Sequence, residues 1–388
     1  MIPVIYNIES LRERWTGSLV AVLGIAGTVA VFIATLSLAN GFRATLVASG
    51  LEENAIVRRA GATAEMDSMI QLAQTKVIED NPLVERDERG PMVSPEVVSL
   101  AVFPARADGN DSNVQVRGVQ GRVLDVRRGV KIVLGRFLTL GTNEAVIGKN
   151  AASAYSGLDV GATIKLGGRD WIVVGLFDAS GSALDSEIWC DATLLNQAFQ
   201  RPVGIFQSVT ARLADKTRLE AFAAAINGDP RMTSQVDRET SYYEKSSQQL
   251  TLLILGIGVP VVLIMAVGSV FGALNTMYTA VAERGREIAT LRAIGFGAGT
   301  VIASFTIEAL LISAVGGALG CVLVLPVNGI TTATMNFQTF SQMSFAFRIT
   351  PELLGAGFVF SLAMGLLGGL PPAIRAARMP VGAALRDL

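Results

Sequence analysis

Residues 246–295 read SSQQLTLLILGIGVPVVLIMAVGSVFGALNTMYTAVAERGREIATLRAIG. No charged side chain interrupts the run from Ser246 to Ala282, and then Glu283, Arg284, Arg286, Glu287 and Arg292 follow in quick succession. Crossing a bilayer takes about 20 predominantly apolar residues. The uncharged part is therefore a transmembrane helix with length to spare, taken up by tilt or by projection into the cytoplasm. Working outward with the same criterion gives three more spans: 17–40, 298–325 with one charge at Glu308, and 352–371, closing on Pro371 and Pro372. Gly316, Gly317 and Gly320, and again Gly365, Gly368 and Gly369, supply small residues that let helix backbones approach closely in a bundle.

Composition agrees with a membrane protein. Of the 388 residues 51% are hydrophobic, and the mean hydropathy of +0.47 lies outside the soluble range. The 32 Lys and Arg nearly cancel the 33 Asp and Glu, so there is no basic field to hold nucleic acid and no acidic tail. Histidine is absent, which excludes histidine-based catalysis and removes the commonest zinc ligand. Cys190 and Cys321 fall in segments assigned to different compartments, so they do not pair; each reads as a small buried apolar residue.

Orientation follows from the positive-inside rule. Arg12 and Arg14, then Arg284, Arg286 and Arg292, then Arg375, Arg378 and Arg386 fall on one side, whereas the loop 326–351 carries only Arg348. Both termini are thus expected in the cytoplasm, with an amphipathic segment 1–16 and a tail 372–388, and the long stretch 41–245 outside. The rival for the first span is a cleavable signal peptide, with Ser37, Leu38 and Ala39 before Asn40 as the cleavage site; the apolar run exceeds a normal signal core, which favours an uncleaved anchor.

The external segment reads as mixed α/β. Strands are expected at Asn54 to Arg59, Val97 to Pro104, Asn113 to Val119, through the AVIG, ATIKL and DWIVVGLF strings, at Gln207 to Leu213 and at Met232 to Val236; helices are expected at Met66 to Glu79 and Lys216 to Ile226. The fold class is a polytopic α-helical membrane protein with four transmembrane helices and a large mixed α/β extracytoplasmic domain between the first and second.

Between the second and third spans, 283–297 carries Ile288, Leu291 and Ile294 at three-residue spacing among its charges, with Gly295 placed as a C-cap. Such an amphipathic helix can lie on lipid headgroups, pack on its own bundle, or enter a groove on a partner. The bland alternative is a solvated connector. Glu283, Arg284, Arg286, Glu287, Ile288, Leu291, Arg292, Ala293, Ile294 and Gly295 resemble the coupling loop of the type VII ABC transporter permeases, the MacB/LolC/LolE/FtsX-like family. Pro372, Ala373, Arg375, Ala376, Ala377, Arg378, Pro380, Ala384, Leu385 and Arg386 are similar to that family's closing pattern, and GKNAA, VGATIKLGG and VVGLF to its periplasmic core domain. The resemblance implies that 283–295 docks on an ABC ATPase dimer. It also implies a second permease copy forming a homodimer, contact with membrane lipid, and a periplasmic adaptor of the membrane-fusion type.

No Gly-rich loop followed by Lys and Ser or Thr is present to cradle phosphates; the string around Gly148 and Lys149 lacks the upstream glycine and the hydroxyl. The expectation is a non-catalytic permease that binds no cofactor or metal itself and works with a separate ATPase subunit carrying ATP and Mg. In this it departs from family members that carry the ATPase on the same polypeptide. Glu308, an acidic residue inside a span, has three readings: a proton-coupled site, a carboxylate pairing with an arginine during conformational change, or a group hydrogen-bonded within the bundle. Asp178, Ser180, Ser182, Asp185, Ser186 and Glu187 cluster in one external loop, where a cation or hydrolytic site competes with the stronger reading of a plain loop.

The resemblance further implies mechanotransmission: ATPase closure moves the 283–295 helices, and the second span carries that motion to external domains that drive export in the inner membrane. The rivals are a transducer that activates an external cell-wall hydrolase and a lipoprotein-release permease. The large external domain favours the exporter.

Overall fold

Long, largely uncharged apolar runs underlie the four long helices of the computed structural model, which describes residues 15–336 and 340–379. Along the chain, helix α1 (Trp15–Val47) leads into strand β1 (Asn54–Arg59), helix α2 (Leu72–Glu79), the long strand β2 (Val93–Pro104) and β3 (Asp111–Val119). Strands β4 (Lys131–Gly135), β5 (Glu144–Gly148), β6 (Thr163–Leu166), β7 (Arg169–Asp178) and β8 (Glu187–Asp191) follow. Then come α3 (Ala192–Ala198), β9 (Ser208–Arg212), α4 (Leu219–Asn227) and β10 (Ser234–Arg238). The chain ends with α5 (Glu239–Glu283), α6 (Gly285–Ala293), α7 (Ala298–Val324), a hairpin of β11 (Thr331–Met335) and β12 (Gln342–Ala346), and α8 (Pro351–Arg378). Two compact units result: one of residues up to 40, 253–330 and 347 onward, the other of 41–252 with 331–346.

In the first unit, α1, α5, α7 and α8 are each long and apolar enough to span a bilayer. Small residues set their approach. A Cβ at Gly320 of α7 would lie 2.7 Å from the Ala26 carbonyl oxygen of α1, so any larger residue there forces those helices apart. Between α1 and α5 the hydroxyls of Thr28 and Ser269 share a 2.7 Å hydrogen bond, and Ser269 also donates to the Gly24 carbonyl at 2.9 Å.

Two helices run beyond the spans read from sequence. Helix α8 continues through Pro371 and Pro372 to Arg378 instead of closing at the prolines. Each proline removes one N–H from the ladder, but Ala373, Ala376 and Ala377 are packed at 0%, 0% and 4% exposure, and that packing holds the next turns helical. Helix α5 starts at Glu239, ahead of Ser246, because its first turns belong to the sheet unit: Tyr242 packs its ring under Arg58 at 4.4 Å and accepts from the Glu65 N–H at 3.3 Å.

The sheet unit is built on a ten-stranded sheet of order β10-β1-β9-β2-β3-β8-β5-β7-β4, with β6 on β7. Strand β2 serves both halves. Its residues 93–96 pair antiparallel with β9, and 97–104 pair antiparallel with β3. One core lies under α2 and α4, with Val57, Ile78, Phe222 and Ile226; a second gathers Val97, Trp171, Ile188 and Leu195, and a third Val119, Val146, Phe177 and Trp189. The strands β4, β8, β11 and β12 and the helix α3 are absent from the sequence reading, and the predicted helix from Met66 begins only at Leu72. Residues 326–351, read as a loop, contain the β11–β12 hairpin, which belongs to the sheet unit: the Ser344 N–H donates to Ser186 Oγ at 3.2 Å, and Phe345 meets the Phe42 ring edge-on at 5.4 Å. Cys190 and Cys321 are both free.

Candidate functional site

Helix α6 is the segment singled out for docking, and its apolar positions divide between two surroundings. Ile288 is 3% exposed and packs with Met277, Val301 and Phe305 in the bundle, whereas Ile294 is 69% exposed and Leu291 half-buried between them. The helix stops at Ala293, with Ile294 as its cap. Gly295 then takes φ +105°, a left-handed conformation that costs a glycine no Cβ clash. Glu283, Arg286, Glu287 and Ala293 lie on the exposed side, and Arg292 is half-buried.

Each end of α6 is tied to the bundle. Arg284, 7% exposed, donates through Nη1 to Glu308 Oε2 of α7 at 3.2 Å and through Nε to Glu287 at 3.1 Å, with its guanidinium 5.5 Å from the Phe305 ring. At the other end Arg292 Nη1 donates to the Met379 carbonyl at 2.7 Å. Glu308, 2% exposed, is thus ion-paired with Arg284 within the helical unit. The cavity beside this pair measures about 10 Å3, no more than a single water needs, so it is not a ligand pocket. In α8, Pro372 is buried while Arg375 and Arg378 are exposed, and Arg375 lies 5.6 Å from the Tyr278 ring. Pro380, Ala384, Leu385 and Arg386 lie outside the described residues, as do Arg12 and Arg14.

A second constellation sits in the sheet unit, where sequence reading assigned no site. Arg117 of β3, 1% exposed, donates to Glu187 at 2.8 and 2.7 Å, to Glu65 at 3.0 and 3.2 Å and to Glu96 at 2.6 Å. Arg127 donates to both Glu96 oxygens at 2.9 and 2.8 Å and to Glu239 at 2.8 Å. Glu239, the first residue of α5, also accepts from the Leu51 N–H at 3.0 Å and from Asn54 Nδ2 at 2.8 Å. Burial by itself would push the Glu96 carboxyl up, but the Arg127 and Arg117 guanidiniums outweigh it and hold it at about 2. Glu65 is lowered by Arg117 against the same burial. Glu239 is instead pushed up by burial, against Arg127, and each of these carboxylates is held by at least one guanidinium. The chemistry of the cluster is fixation: it pins the start of α5 and the exit of α1 to the sheet.

The acidic loop is consumed by its own turn. Asp185 accepts from the Ala179 and Gly181 N–H groups at 2.5 and 2.8 Å, Asp178 pairs with Lys149 at 2.7 Å, and Glu187 points to Arg117. Among the described residues no group of three or more acidic, Cys or His side chains is arranged to hold a metal ion.

Residues 18–228 match the model of the MacB-like periplasmic core domain, and 260–381 match the FtsX-like permease C-terminal model. The chain belongs to the MacB/FtsX-like family of type VII ABC transporter permeases. This permease is 26% identical to the macrolide export ATP-binding/permease protein MacB of Bordetella avium (strain 197N), over 98% of the present chain and 59% of that protein. It is 27% identical to the protein of the same name from Azoarcus sp. (strain BH72), over 96% and 57%. The chain thus spans less than two thirds of the length of these relatives. Among solved structures, the periplasmic region of MacB from Actinobacillus actinomycetemcomitans aligns with 49% of the permease and 90% of that chain, at 11% identity and a TM-score of 0.37.

The ionic cluster of the permease left one trace in its sequence. Arg117 stands in VQVRGV and Glu96 in SPEVVSL, each a charge set among strand-forming apolar residues, where burial is tolerated only with a partner.

Proposed function

We propose that this permease is the membrane part of an ABC export system in which a partner ATPase dimer, carrying ATP and Mg, docks on α6 and drives motion of the sheet domain. The supporting observation is the exposed Ile294 beside half-buried Leu291, on a short helix anchored at both ends through Arg284 and Arg292. An apolar anchor on a fixed base suits insertion into a groove and transmission of force. With α6 and both termini in the cytoplasm, the sheet domain lies outside. The stroke passes along α5 to Glu239 and its arginine clamp.

Two copies are expected to pair. Only 17% of the most apolar window of α5 is buried, against 33% in each of the other three long helices, so α5 has the most face to share with a second copy and with lipid. The relatives named for macrolide export support an export role; uptake of the substrate outside the cytoplasm and its transfer to an adaptor protein complete the proposal. Leu291→Ala combined with Ile294→Ala tests the docking assignment. Co-purification with the cognate ATPase should fall at least tenfold, and ATPase stimulation should fall with it, while the helical circular dichroism signal is retained. A complex that survives intact removes α6 as the docking element.

A further inference from the structure

The sheet unit carries a cleft of about 650 Å3, inside the 300–1,000 Å3 range of small-molecule sites. Its apolar lining includes Met66, Met69, Val98 and Ile205, with Met69 53% exposed. Methionine adapts its flexible thioether to irregular apolar shapes. Leu72 and Val203, 52% and 59% exposed, extend the apolar surface along the two segments that line the cleft. Gln71, Gln74 and Gln207 add neutral hydrogen-bonding groups.

Arg201 sets this cleft apart. It is half-buried, its Nη1 donates to the Val98 carbonyl at 3.0 Å, and its guanidinium lies 5.6 Å from the Phe199 ring. Among the described residues no carboxylate lies within ion-pair distance of it. The more deeply buried arginines of the same unit are all matched: Arg58 to Asp237, Arg117 to three glutamates, Arg127 to two, and Arg212 to Glu85. A guanidinium has five donors in a fork that fits carboxylate and phosphate oxygens, and burial here opposes its charge. Arg59 lines the same cleft and donates to a backbone carbonyl, that of Asp67. Asp67 is also present, but its carboxylate is occupied by the Thr63 and Ala64 N–H groups and the Thr63 hydroxyl. The lining therefore offers two guanidiniums and one engaged carboxylate beside an adaptable apolar wall.

We infer that this cleft binds a small organic anion with an apolar body, its acidic group on Arg201 and its hydrocarbon against Met66, Met69 and Ile205. The inference is independent of whether α6 docks an ATPase. A cationic amphiphile is disfavoured by the two arginines, and a neutral one leaves Arg201 unmatched.

The test uses the full chain in phosphatidylcholine nanodiscs, titrated calorimetrically with octanoate, octanamide and octylammonium, beside Arg201→Gln and Arg59→Gln. Octanoate should bind at least tenfold tighter than octanamide, a gap of about 1.4 kcal/mol. Arg201→Gln should abolish that preference while leaving octanamide unchanged, and Arg59→Gln should reduce it about threefold. Equal binding of octanoate and octanamide by the unmodified chain overturns the proposal without reference to any variant. So does octylammonium binding as tightly as octanoate, or undiminished octanoate binding by a folded Arg201→Gln protein, the mark of simple partition into lipid.

Discussion

Two buried ionic sites of the permease solve the same problem differently. In the sheet unit, Arg117 and Arg127 are enclosed by Glu65, Glu96, Glu187 and Glu239, drawn from a loop, two strands and the start of α5. In the helical unit, Arg284 joins Glu308 on α7 and Glu287 on α6, and the Glu287 side chain is 58% exposed. Rearranging the first site strands several charges in the interior at once. In the second, one of the two carboxylates is already hydrated. Charges that must stay are locked from all sides, whereas those at a proposed moving joint keep a partner in water.

Breaking the locked site should have the largest effect. Arg117→Met leaves three carboxylates facing one another and should destabilise the sheet unit by about 3–5 kcal/mol, the range for a buried charge deprived of its partner. Chemical denaturation followed by fluorescence of the buried Trp171 and Trp189 measures it. A cost below about 1 kcal/mol would mean that the cluster is not the clamp.

Acid should separate the two sites next. Glu96 is held at about 2 from an ordinary 4.5, so the folded state binds the proton more weakly than the unfolded chain. Its contribution is complete above about pH 4.5 and declines as the pH falls toward 2. The tryptophan-monitored melting temperature should drop across that window, and Glu96→Gln should flatten the drop while lowering stability at neutral pH. A profile from Glu96→Gln parallel to that of the unmodified chain would assign the acid sensitivity elsewhere.

The smallest stability effect is expected at the joint. Glu308→Gln keeps a hydrogen-bond acceptor for Arg284, and Glu287 still faces the guanidinium, so the cost should be about 1.5–3 kcal/mol. The loss should appear instead in transport per ATP hydrolysed. Should Glu308→Gln unfold the protein as Arg117→Met is expected to, the contrast between the sites fails.

The same contrast explains what was legible in the sequence. Near-freedom from charge over the length of a bilayer is a local property, so the four spans could be read directly; the crowded charges marked 283–295 only as an amphipathic segment, and its docking role came from the family resemblance. Partner choice is not local. Arg117 is separated from Glu65 and Glu187 by 52 and 70 positions, and no periodicity connects them. Arg284 and Glu308 are only 24 apart, on adjoining segments, and an arginine partner was among the readings of Glu308. The β11–β12 hairpin was missed because its alternation is brief and lies between two spans, where a short loop is the simplest expectation.

Glu239 accepts from Leu51, just past α1, and from Asn54 at the opening of β1, while itself standing at the head of α5. The segment leaving α1 and the head of α5 therefore meet at one carboxylate. A stretch whose ends lie that close is an insertion in the topological sense, closable by a short linker. Within the sheet unit, residues 41–252 are in this respect a cassette whose two ends one short linker could join.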